Sequence, residues 1–107
     1  MIDSISPAEL KEKLDLAPEQ LVLLDVREPA EYDICHIDNS LHIPMGEITR
    51  RVGELDESRE IVVLCHHGMR SMQVAMYLAD QGFMRVANLE GGIHAWATSI
   101  DTSMARY

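Results

Sequence analysis

The sequence predicts an α/β fold in three layers, and two observations carry the prediction. Residues 21–24 and 61–64 are apolar at every position, and stretches of helical periodicity alternate with such runs. A strand apolar on both sides belongs in a parallel sheet covered on both faces, and the intervening helices are the cover. No repeat, low-complexity tract or linker divides the chain, so residues 1–107 are read as one domain.

The first helix opens at Ser6, Pro7, Ala8 and Glu9. Ser is the N-cap, Pro the first helical residue, and Glu closes a capping box; the helix is expected to end near Leu14 or Asp15. The first buried strand then runs to Asp25. Residues 29–34 read as a short helix and 41–43 as a short strand ahead of Pro44. Residues 45–55 read as a helix with Ile48, Val52 and Leu55 on its apolar side. After the strand at 61–64, Val74, Ala75, Leu78 and Ala79 mark one face of a helix. It begins near Ser71 and stops at Gly82. Residues 86–89 form another strand, Gly91 and Gly92 break the chain there, and a last helix from Ile93 to about Ile100 carries Trp96. Four strands are legible from the residues themselves.

Composition narrows the function. Asp and Glu outnumber Lys and Arg 18 to 9, a net charge of −9, which denies the chain the basic footprint a nucleic-acid partner requires. The N-terminal stretch has neither the cationic nor the apolar region of a secretory leader, and no apolar run approaches bilayer length. Two cysteines, Cys35 and Cys65, are too few for a disulfide framework. A reducing, cytoplasmic setting with no membrane partner is expected.

Open parallel sheets gather their chemistry beyond the C-terminal ends of the strands. Two strands end there in polar residues: one at Asp25, Val26, Arg27 and Glu28, the other at Cys65, His66, His67, Gly68, Met69, Arg70 and Ser71. Only the second holds a nucleophile. Its sulfur is expected above a helix N-terminus, where the dipole and free N–H groups lower a thiol pKa. Arg70 adds a fixed positive charge if it folds inward, and the amides from His66 to Ser71 can form an anion-holding nest. Gly68 supplies the backbone freedom such a turn needs.

Other readings of the loop stand beside this one. A free cysteine at a strand end can simply be a small buried apolar residue. Adjacent Cys65, His66 and His67 do not easily converge on one tetrahedral ion, and no Cys-x-x-Cys or His-x-x-x-His spacing occurs, so no metal is expected. A Cys-His protease pair needs the turn to fold back and a separate oxyanion site. The local residues favour a reactive thiol.

Several pieces, in order, resemble the single-domain rhodanese, or thiosulfate sulfurtransferase-like, family over nearly the whole chain. They are Leu24 to Glu28 with Glu31 and Tyr32, and His36-Ile37 followed by Ile43-Pro44. The loop from Cys65 to Ser71 and the segment Leu89 to Ile93 with Ala95 and Trp96 complete the set. The resemblance implies a central five-stranded parallel sheet flanked by helices. It implies that Cys65 takes sulfane sulfur from thiosulfate or a persulfide, becomes a persulfide, and passes the sulfur to cyanide, a thiol or a sulfur-carrier protein. His66, His67, Gly68, Met69 and Arg70 would then form the cradle, Ser71 would cap the following helix, and no cofactor is expected. Asp25 and Arg27 would brace the site, and Trp96 would anchor the core.

Spacing and departures refine what the resemblance implies. Related phosphatases and arsenate reductases carry Cys-x5-Arg, whereas four residues separate Cys65 from Arg70, the tighter arrangement of sulfur transfer. The two-domain thiosulfate enzymes carry Lys where His67 stands and Arg where Glu31 aligns, so a persulfide donor is expected to suit this chain better than thiosulfate. Cys35 stands where the family usually has Gly; it is either a small structural replacement or a second thiol able to resolve the persulfide, and the first is favoured since nothing electropositive adjoins it in sequence. Trp96 followed by Ile100, Asp101, Thr102 and Ser103 and by the terminal Arg106 and Tyr107 resembles the tails of rhodanese modules attached to ubiquitin-activating-like enzymes. A non-catalytic interaction module is the rival from another class; the intact Cys65 weighs against it.

Overall fold

The computed structural model describes residues 2–107. Ser6 caps α1 (Pro7–Leu16) as its sequence predicts: its hydroxyl accepts the Glu9 amide while the Glu9 carboxylate accepts the Ser6 amide. Strand β2 (Leu21–Asp25) is buried throughout and leads to α2 (Pro29–Ile34) and the two-residue β3 (Leu41–His42). The segment expected as one helix from 45 to 55 is instead three short turns. A four-residue α3 (Ile48–Arg51) lies between 3-10 turns at Met45–Glu47 and Val52–Glu54. Gly46 and Gly53 fall in the two tighter turns, where they weaken a continuous helix. The chain continues through β4 (Glu60–Leu64), α4 (Met69–Asp80), β5 (Val86–Leu89) and α5 (Gly92–Ser99).

A fifth strand precedes α1. β1 (Asp3–Ile5) pairs with β5, Asp3 opposite Ala87 and Ile5 opposite Leu89. Three residues with only Ile5 buried carry too little pattern to be read locally. The sheet is wholly parallel, ordered β1-β5-β4-β2-β3. Alternate residues of its strands enter two separate cores. Val22, Leu24, Ile61 and Val63 pack with Ile48, Val74 and Leu78 from α3 and α4 on one face. Leu21, Leu23, Val62 and Leu64 pack with Leu10, Ile93 and Trp96 from α1 and α5 on the other. The fold is therefore three-layered, and Trp96, 5% exposed, is a core anchor. Among the described residues no helix is long and apolar enough to cross a membrane.

Strand order also positions the chemistry. β2 connects outward to β3, and β4 connects the opposite way to β5, so a crevice opens between the C-terminal ends of β2 and β4. Asp25 and Leu64 are register partners there, and the Val26 amide donates to the Leu64 carbonyl at 3.0 Å. The two polar strand ends that sequence singled out are neighbours.

Candidate active site

Cys65 leaves the end of β4 and is 1% exposed. The Gly68 amide donates to its Sγ at 3.0 Å, and the Ser71 hydroxyl stands 3.3 Å from it. Burial pushes this thiol up. The Ser71 hydroxyl and the amides of Ser71, Gly68 and His67 outweigh that effect and hold it below the ordinary thiol value.

The loop backbone is held from two further elements. Gly68 has φ +110, a left-handed turn that aims its N–H at the sulfur, and its carbonyl accepts from Asn88 Nδ2 at 3.1 Å. Asn88 Oδ1 lies 2.5 Å from the Ser71 hydroxyl, so a polar residue buried in β5 orients both Gly68 and Ser71. On the other side, the amides of Ile93 and His94 at the start of α5 donate to the carbonyls of Cys65 and His66, at 2.8 and 3.1 Å. Turning those carbonyls outward leaves the loop's amides free to face the sulfur. Gly92, at φ +61, permits this approach: a Cβ there would lie 2.5 Å from both carbonyl oxygens.

Ser71 differs from expectation. α4 begins at Met69 with Gly68 as its N-cap, so Ser71 lies inside the first turn and is not the cap. The sulfur takes the Gly68 N–H instead, and Ser71 turns its hydroxyl to the sulfur and Asn88. Met69 is 79% exposed and His67 is also exposed; neither side chain lines the sulfur's cradle.

Arg70 is bound to a carboxylate. Its Nη1 and Nη2 donate to Oε1 and Oε2 of Glu31 at 2.7 and 2.8 Å, a bidentate pair joining α4 to α2. Glu31 is held further by the Tyr107 hydroxyl at 2.9 Å and by the Glu28 amide through Oε1 at 3.1 Å. The Arg70 guanidinium first, with these donors, lowers the Glu31 carboxyl to about 2. The Tyr107 hydroxyl in turn accepts from Arg27 Nη1 at 2.9 Å; burial first raises Tyr107 to about 12, so it remains a donor toward Glu31.

Arg27 and Asp25 form the inner end of this chain, both side chains 0% exposed. Arg27 Nη2 donates to Asp25 Oδ2 at 2.7 Å and Nε to Oδ1 at 2.9 Å. Remaining Arg27 donors reach the carbonyls of Glu31 and Cys35, at 3.1 and 2.7 Å. Asp25 and Arg27, expected to brace the site, tie β2 to α2 and the tail. Arg27 Nη1 also lies 4.0 Å from Cys35 Sγ, a neighbour that the residues adjoining Cys35 in sequence do not reveal.

The imidazoles stack instead of converging. His66 lies against His67 with ring centroids 4.1 Å apart, and the Tyr107 ring covers its other side at 3.9 Å. Burial, then the neighbouring His67, lowers the His66 pKa, leaving its ring neutral near pH 7. Among the described residues no group of three or more His, Cys, Asp or Glu side chains is placed to hold a metal ion.

The sequence profile of the rhodanese-like domain matches residues 6–99. The chain belongs to the rhodanese-like family. The Bacillus subtilis protein YtwF is 48% identical over 95 residues, covering 89% of this chain and 90% of that protein. The thiosulfate sulfurtransferase GlpE of Coxiella burnetii is 35% identical over 104 residues, covering 97% and 92%. A crystal structure of a rhodanese-related protein from Thermoplasma volcanium superposes with a TM-score of 0.83 at 33% identity, covering 92% of this chain and 93% of that one. This rhodanese-like domain thus has single-domain relatives in a sulfurtransferase family.

Its supporting residues were only partly legible. Asn88 had one signal, a polar side chain in an otherwise apolar strand. Gly92 stood out as half of a glycine pair without revealing its contact. Tyr107 gave no local signal, because its partners are 76 and 80 residues away in sequence.

Proposed function

We propose that this rhodanese-like domain is a sulfurtransferase working through a persulfide on Cys65. The observation that carries the reading is the convergence of the Gly68 amide and the Ser71 hydroxyl on a buried Sγ held below its ordinary pKa. The Cys65 thiolate attacks the outer sulfur of a persulfide R–S–SH. The Cys–S–S bond forms, the donor's S–S bond breaks, and R–S⁻ leaves with its electron pair. With thiosulfate the same attack releases sulfite. In the second half a thiol or cyanide attacks the outer sulfur, giving a new persulfide or thiocyanate and returning the Cys65 thiolate. The inward-facing amides stabilise negative charge on the outer sulfur between the two halves.

Cys65 is the nucleophile, and the backbone of His66 through Ser71 is the cradle; Asp25 and Arg27 support the site indirectly, through α2 and Tyr107. The acceptor inside the cell is a thiol or the terminus of a sulfur-carrier protein. The setting is a reducing one such as the cytoplasm, where Cys35 and Cys65 remain free thiols, as they are here. A phosphatase reading is disfavoured because the loop's guanidinium is already bound to Glu31, and a phosphate dianion would need it.

Incubation with thiosulfate or a persulfide, followed by intact-mass measurement, should add one sulfur atom that cyanide or a thiol removes. Cys65→Ser should abolish the adduct. A wild-type protein that acquires no sulfur sinks the sulfur-carrier mechanism, and a fully active Cys65→Ser variant sinks the assignment of Cys65.

A further inference from the structure

We propose that Glu31 sets the donor specificity of the site, by neutralising Arg70 and thereby disfavouring dianionic donors against those carrying a single negative charge. The inference rests on the sulfur-transfer reading and deepens it by naming the substrate class.

Arg70 carries the fixed positive charge nearest the sulfur in the loop, and an incoming anion would naturally be drawn to it. Both of its terminal nitrogens are spent on Glu31, at 2.7 and 2.8 Å. A bidentate guanidinium–carboxylate pair is among the strongest charge-assisted contacts in proteins, so the arginine is not free to swing toward a ligand. Glu31 is equally fixed: the Tyr107 hydroxyl and the Glu28 amide hold its two oxygens from other directions. Further in, Arg27 is matched by Asp25. Charges around the sulfur therefore cancel in pairs, and His66, next to Cys65 in the loop, is stacked between His67 and Tyr107. A donor with two charges finds no surplus cation, and the Cys65 thiolate repels it. One negative charge less on the donor relieves that repulsion without loss of any contact that Arg70 would have supplied.

Two nearly isosteric donors isolate the effect. Thiosulfate carries two negative charges. Methanethiosulfonate, with a methyl in place of one oxygen, carries one. Attack by the Cys65 thiolate on the sulfane sulfur of either gives the same Cys65 persulfide, releasing sulfite from the first and methanesulfinate from the second. The ratio of kcat/KM for thiosulfate to that for methanethiosulfonate should rise about tenfold in Glu31→Gln, from the loss of the carboxylate charge that cancels Arg70. Glu31→Asp, which keeps the charge, should stay within about threefold of wild type if the carboxylate still meets Arg70. Both donors are assayed on one preparation, so the ratio does not depend on how much of a variant is folded. A Glu31→Gln ratio within twofold of wild type overturns the proposal while leaving sulfur transfer intact. If no donor, a persulfide included, loads Cys65 in the wild type, sulfur transfer itself fails and this inference falls with it; if a persulfide loads it and neither of these two donors does, only this inference falls.

Discussion

Replacing Gly92 by alanine should damage both stability and sulfur loading, and the other glycines provide the internal controls. Gly82 has φ +100 and open space around a would-be Cβ; Gly53 has neither a positive φ nor a neighbour within 4 Å. Gly92 combines φ +61 with a Cβ position 2.5 Å from the carbonyl oxygens of Cys65 and His66, which are backbone atoms and cannot rotate away. All three substitutions reduce the unfolded chain's freedom alike, so their differences report the folded state. Gly53→Ala should be neutral or stabilise by up to about 1 kcal/mol. Gly82→Ala adds only left-handed strain, about 1–2 kcal/mol. Gly92→Ala adds that strain and also forces α5 off the loop, weakening the Ile93 and His94 hydrogen bonds at about 1 kcal/mol each, for a total of about 3–4 kcal/mol. Urea unfolding measures the series; for a chain of this length the Gly92 variant should melt at least about 10 °C below Gly53→Ala. Its cradle amides are also displaced, so persulfide formation should fall more than in Gly82→Ala. A Gly92→Ala protein as stable and as readily loaded as Gly82→Ala would refute the reading of α5 as the clamp on the loop.

Ser71→Ala removes the hydroxyl that favours the Cys65 thiolate, so the pH dependence of Cys65 alkylation should move to higher pH and loading at pH 7 should slow roughly threefold to tenfold. Asp25→Ala leaves Arg27 as a buried charge without its carboxylate, and chemical denaturation should show a loss of about 3–5 kcal/mol. Glu31 titrates at about 2 in the folded protein against 4.5 ordinarily, a depressed value, so its stabilising contribution is full above pH 4.5 and is lost as pH falls through 2. The stability difference between wild type and Glu31→Gln should accordingly stay constant from pH 7 to about 5 and shrink toward pH 2; a difference that instead shrinks above pH 5 contradicts the ion pair.

The elements read with least ambiguity in the sequence are those whose signal is local. The Ser6–Pro7–Glu9 start specifies α1 because a capping box is satisfied within one turn. The continuous apolar runs specify β2 and β4 because both sheet faces are covered. Local signal failed where it was weak or mixed. β1 is too short to show a period, and the apolar spacing of Ile48, Val52 and Leu55 mimics a helix that the glycines at 46 and 53 break into turns. Of the site, Cys65 and its loop were visible because nucleophile, glycine and arginine fall within six residues. Asn88, Glu31 and Tyr107 were not visible as supports, because each acts on a segment between 17 and 80 positions distant.

By itself, then, the sequence determined the class of fold, the two polar strand ends and the thiol in one of them, since all three follow from patterns short enough to be written in adjacent residues. What Arg70 does was decided only by the tertiary structure. A guanidinium is charged wherever it stands, but whether that charge faces the sulfur or a carboxylate depends on which helix lies beside it. Here α2 brings Glu31 to Arg70, and the tail brings Tyr107 to Glu31. The loop's one fixed cation becomes part of the scaffold, leaving backbone amides and a hydroxyl to face Cys65.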